Sequence, residues 1–146
     1  MAVHVTTALE RQLAKLNESP DDLRHAFQVW KRGSEYSSYY FGKDGAYVSP
    51  RFSSGEMGLR HVHLAPIQDP SALLRWNEQW KRRSRKTSDR VLVYASDATH
   101  GHLLIYILQE PTAHDVAAMR TEAHALLMKK LTRIAERFVA SGQIIG

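Results

Sequence analysis

The chain has 146 residues, 43% hydrophobic and 24% charged, with no cysteine and a formal net charge of +5. That balance fits a single folded domain over residues 1–146 that buries a core without disulfides or structural metal, and it excludes thiolate zinc sites and cysteine nucleophiles. No apolar run nears the roughly 20 residues that span a bilayer, and "MAVHVTTALERQ" lacks the basic start and apolar core of a secretory signal, so a cytoplasmic location with no membrane partner is expected.

At the N-terminus "VHVTT" reads as a strand, and "ALERQLAKL" fits either its continuation or a helical turn. "SPDDLRHAFQVWKRG" is better punctuated. Ser19 stands at an N-cap, Pro20 at the first helical position, Asp21 and Asp22 in the first turn, and Gly33 just past basic residues. Leu23, Phe27 and Trp30, four and three apart, give this helix an apolar stripe to lay on a sheet. The Gly-, Ser- and aromatic-rich segment "SSYYFGKDGAYVSPRFSSGEMG" reads as turns around at most one short strand.

Three strands follow, at Leu59 to Ala65, Arg90 to Ala95 and His102 to Gln109, with an antiparallel arrangement expected from the short "SDATHGH" connection. Between the first two, Leu73, Leu74, Trp76 and Trp80 suit a short helix. From about Ala113 to Ala140, Val116, Met119, Ala123, Leu127, Leu131, Ile134 and Phe138 recur at helical spacing and predict one long amphipathic helix. Helices, then a small antiparallel sheet, then a long C-terminal helix make an α+β fold.

The excess positive charge is local. Residues 75–90 carry seven Lys/Arg against two acids, and the rest of the chain is balanced. Lys81, Arg82, Arg83, Arg85 and Lys86, interleaved with Trp76 and Trp80, suit contact with phosphates, although a solvated helix face would have the same composition. In "GLRHVHLAPI", strand alternation sends Arg60, Val62 and Leu64 one way and Leu59, His61, His63 and Ala65 the other. With Val62 and Leu64 toward the core, His61 and His63 are expected on the less buried face. They suit a metal pair, structural histidines or proton transfer to a substrate. No carboxylate stands at a ligand-like spacing to them, so no metal is expected.

The ordered series "FQVWKRG", "YFGKDGAY", "RHVHLA", "DRVLVYA", "HLLIYIL", "PTAH" and "AERF", from about Phe27 to Phe138, resembles the YafO family of type II toxins. The stretch "WNEQWKRRSRKTSD" and the tail "SGQIIG" depart from that pattern. The resemblance implies a RelE-like fold, ribosome-dependent cleavage of mRNA, neutralisation by a cognate antitoxin protein, and no metal or nucleotide cofactor. Such cleavage, by attack of the RNA 2′-hydroxyl on its own phosphate, needs a base, an acid and positive charge. The candidates for catalysis are His61, His63, His114, Lys43 and Tyr47. Arg60 joins the basic stretch as a candidate for RNA or ribosome binding, although strand alternation counts against it in the histidines' groove. The other classes open to the sequence are a non-catalytic RNA- or ribosome-binding module using the 75–90 patch, and a toxin acting on a protein.

Overall fold

The computed structural model describes residues 1–146. The elements are β1 (Val3–Val5), α1 (Thr7–Lys15), α2 (Pro20–Arg32), β2 (Phe41–Ala46), β3 (Arg60–Leu64), α3 (Pro70–Lys81), β4 (Val91–Asp97), β5 (Gly101–Leu108), α4 (Ala113–Ala117) and α5 (Glu122–Ser141). They form an α+β fold around a five-stranded sheet in the order β1-β5-β4-β3-β2. The strands β3 to β5 pair antiparallel as expected, β2 adds to β3 antiparallel at the edge, and β1 lies parallel to β5, so the sheet is mixed. No helix is long and apolar enough to cross a membrane.

Local chemistry fixes the helix starts. The Ser19 hydroxyl accepts from the Asp22 N–H with Pro20 at the first position of α2, and Asp69 caps α3 in the same way ahead of Pro70. The ambiguous "ALERQLAKL" is α1, because the Thr6 hydroxyl accepts from the Leu9 N–H and thereby ends β1. The same hydroxyl donates to the Ile105 carbonyl at 2.6 Å, locking α1 to β5 where that strand bulges against β4.

Both faces of the sheet are covered. Against one, α1 and α2 bury Leu9, Leu13, Phe27 and Trp30 over Val62, Leu64, Leu92, Tyr94, Leu104 and Ile107. Against the other, α4 and α5 bury Val116, Met128, Leu131, Ile134 and Phe138 over Val91, Val93, Leu103 and Ile105. Each large apolar side chain enclosed this way contributes about 1.5–3 kcal/mol.

The expected single C-terminal helix is two. Ala118 ends α4, Met119 takes a left-handed φ of 54°, and the Thr121 hydroxyl accepts from the His124 N–H to start α5. Both pieces bury an apolar set against the same side of the sheet, Val116 from α4 and Met128, Leu131, Ile134 and Phe138 from α5, but Ala123 of the expected stripe is exposed. The short α4 thereby turns independently of α5 and sets His114 at the rim of the sheet.

After α3 the chain returns along the outer edge of β2, where the Lys86 carbonyl accepts from the Lys43 N–H at 2.8 Å. This approach needs Gly42, since a Cβ there would stand 2.3 Å from the Lys86 carbonyl oxygen and 2.9 Å from the Trp76 ring. Gly42→Ala is expected to cost about 1–3 kcal/mol, read as a lower denaturant midpoint, through forced displacement of the edge segment. Gly45→Ala is expected to be close to neutral, because the nearest atom to its Cβ is the His61 ring at 4.0 Å.

Candidate functional site

The register sets His61 opposite Val93 and His63 opposite Val91. Val62 and Leu64 point toward α1 and α2, and the histidines point to the face that α4 and α5 cover. They do share a face, but it is not outside the core. His63 is only 6% exposed and His61 is half-buried. The expectation of a less buried face is corrected for a physical reason: helices flank the sheet on both sides, so alternation separates two interiors.

Three imidazoles line up across this rim. The His61 and His63 centroids lie 5.8 Å apart, and those of His63 and His114 lie 6.0 Å apart. Together with Tyr47, Val91, Ala113 and Ala117 they line a small pocket of about 30 Å³, room for a water-sized group. The His114 side chain remains 72% exposed at its mouth.

The dipeptide Ser88–Asp89 holds two of the rings. The Ser88 N–H donates to His63 Nδ1 at 2.9 Å, which puts the neutral ring's proton on Nε2. Asp89 Oδ1 accepts from the His114 N–H at 2.7 Å and lies 2.8 Å from His114 Nδ1. A carboxylate only accepts, so Nδ1 of His114 donates to Asp89, and in the neutral tautomer Nε2 is the nitrogen without a proton. Asp89 also caps α4, whose own N-cap Thr112 makes no side-chain hydrogen bond.

His61 stacks on Tyr47 with centroids 4.0 Å apart and planes 13° from parallel, and its buried Nδ1 has no partner. Burial pushes the Tyr47 phenol up, keeping it neutral. Burial pushes His61 down to about 4, aided by the neighbouring His63. His63 is also pushed down to about 4, by burial first and then by His114. The Lys43 charge adds to the depression of both, and its side chain is exposed. Four of the five residues singled out for catalysis, Tyr47, His61, His63 and His114, therefore come together in one pocket, and Lys43 stands exposed without lining it.

Arg60 does not join them. On the opposite face its Nε donates to the Tyr94 hydroxyl at 3.2 Å and its Nη2 meets Asp44 at 3.3 Å. Lys31 reaches the same pair, at 3.1 Å from Tyr94 Oη and 3.5 Å from Asp44. The basic stretch also divides. Arg85 is paired with Glu35 at 2.5 and 3.1 Å. Lys86 is 1% exposed, its ammonium 5.5 Å from the Trp76 ring and 5.0 Å from the Trp80 ring, and burial lowers its pKa. This corrects the reading of Lys86 as a surface cation. Lys81, Arg82 and Arg83 remain exposed.

Sequence reasoning missed Ser88 and Asp89. A Ser-Asp pair ahead of a strand signals a turn, but the partner of Asp89 is 25 residues away and no local pattern encodes it.

The neutral histidines make stability depend on pH. Their pKa values of about 4 in the fold lie below the ordinary 6.5, so their contribution is complete above about pH 6.5 and is lost as pH falls toward 4. Urea unfolding over that interval is expected to show a loss of roughly 2–3 kcal/mol per histidine. His63→Gln should flatten part of the slope; an unchanged slope would mean that His63 is not held neutral.

A family model described as "Toxin YafO, type II toxin-antitoxin system" matches residues 28–140. No curated protein and no solved structure matches the chain. The matched span contains Lys43, Tyr47, His61, His63 and His114 together with Ser88 and Asp89, and it covers most of the 146 residues. The chain belongs to the YafO toxin family of type II toxin-antitoxin systems.

Proposed function

We propose that this single-domain toxin is a ribosome-dependent endoribonuclease, an mRNA interferase of RelE-like kind, that inhibits translation in the cytoplasm until a cognate antitoxin binds it. The observation that carries this reading is the convergence of Tyr47, His61, His63 and His114 on one pocket, with Asp89 beside Nδ1 of the one exposed ring.

The reaction begins at His114, whose free Nε2 takes the proton of the 2′-hydroxyl as that oxygen attacks the adjacent phosphorus. The bond from phosphorus to the 5′-oxygen breaks, leaving a cyclic phosphate on one fragment and a 5′-hydroxyl on the other. His63, neutral and with its proton on Nε2, donates a hydrogen bond to the phosphorane. The Lys43 ammonium offsets the added negative charge and supplies the proton to the leaving oxygen. His61 and Tyr47 form a stacked wall that holds His63. No metal or cofactor enters these steps.

Purified ribosomes programmed with mRNA test this reading. His114→Ala and His63→Gln are each expected to cut cleavage by on the order of a hundredfold, the usual scale of positioned proton transfer, while antitoxin binding persists. Asp89→Asn should fall between these variants and the wild type, and chelator should leave the rate unchanged. Folded variants that cleave at the wild-type rate would remove the rim from the mechanism.

A second reading, a non-catalytic RNA- or ribosome-binding module, draws on the exposed Lys81, Arg82 and Arg83. Under either reading, changing these three to Gln should weaken co-sedimentation with ribosomes and flatten its salt dependence. Salt-sensitive binding with no cleavage under any condition would favour the module.

A further inference from the structure

We propose that Trp80 and Tyr36 form a stacking site for an unpaired RNA base, beside the Lys81 and Arg83 cations and apart from the histidine rim. The proposal rests on the reading that the toxin engages RNA, and it adds a site that the chemistry of cleavage does not use.

A cleft of about 460 Å³ is lined by Tyr36, Ser37, Trp80, Lys81 and Arg83. Tyr36 is 46% exposed and Trp80 37% exposed, large values for aromatic side chains that could have been buried. Trp80 is nonetheless held in place. The buried Lys86 ammonium lies 5.0 Å from its ring, and Tyr39 meets it edge-on at 5.7 Å. Tyr39 is itself anchored, its carbonyl accepting from Trp76 Nε1 at 2.9 Å and its hydroxyl meeting Asn77 at 2.5 Å. An exposed ring fixed by its neighbours loses little freedom when a base stacks on it, and the Lys86 charge draws on the ring's electrons, favouring an electron-rich purine.

The surrounding charge suits an RNA backbone. Lys81 and Arg82 approach only Glu78, at 4.0 Å and on the open surface, while Arg83 makes no ion pair. The nearby acid Glu35 is occupied by Arg85. Solvated cations around exposed aromatic faces are how proteins hold single-stranded nucleic acid without reading its sequence.

Intrinsic tryptophan fluorescence and filter binding with oligoadenylate and oligouridylate test the site without requiring cleavage. Wild-type protein should bind both, oligoadenylate more tightly, with quenching of the emission. Tyr36→Ala, which leaves the Lys86 enclosure intact, and Trp80→Leu should each weaken binding about ten- to hundredfold. Trp80→Phe should recover part of the loss, and the melting temperature identifies any variant that fails to fold. Sedimentation with vacant and with mRNA-programmed ribosomes separates the base's source. A loss with both assigns it to ribosomal RNA, a loss with programmed ribosomes alone assigns it to the message, and both support the site. Unchanged oligonucleotide affinity in folded Tyr36→Ala would overturn it, as would a loss of antitoxin binding with RNA binding intact. Weakened oligonucleotide binding in a protein whose wild type cleaves no mRNA would leave the site standing and remove the nuclease reading.

Discussion

The Ser88–Asp89 turn joins three elements at one point. The Ser88 hydroxyl lies 2.6 Å from the Leu64 carbonyl and 3.0 Å from the Arg90 carbonyl, bracing the end of β3 against the approach to β4. Its N–H fixes the His63 ring, and Asp89 both starts α4 and orients His114. Without this turn the five-residue α4 has no side-chain cap and no reason to keep His114 6.0 Å from His63. Two ring tautomers and one short helix thus depend on two neighbouring residues.

Burial then divides the imidazoles by environment. The sheet interior holds His61 and His63 neutral, while His114 stays exposed beside the Asp89 carboxylate. The face beyond the sheet is built differently. Arg60, Lys31 and Tyr94 converge there on the half-buried Asp44, whose charge already engages both cations. Strand alternation puts a histidine rim on one side and an ion-pair network on the other from consecutive residues of β3.

Much of the fold was legible in the sequence. The caps at Ser19 and Gly33, the apolar stripe of α2 and the three central strands follow from spacing alone. The run "VLVYA" of β4 is buried at every position, which already signals a strand covered on both faces. Reading Val62 and Leu64 as the single core side set that signal aside and left the histidines on a surface that does not exist. The break at Met119 was hidden because the apolar period does not change across it, although Thr121 three residues before His124 carries a cap signal. At the site, strand periodicity put His61 and His63 on one face, but the meeting with His114 and the burial of Lys86 arise from long-range packing. A lysine within a run of exposed cations shows no local sign that two tryptophans enclose it.

The central claim is that chemistry takes place at the histidine rim. A structure of the toxin trapped on a ribosome with uncleavable mRNA tests it most directly. The account predicts a 2′-oxygen within hydrogen-bonding reach of His114 Nε2, with the adjacent phosphate near Lys43 and His63. A message lying instead across Arg60, Lys31 and Tyr94, with the histidine pocket empty of RNA, would contradict it.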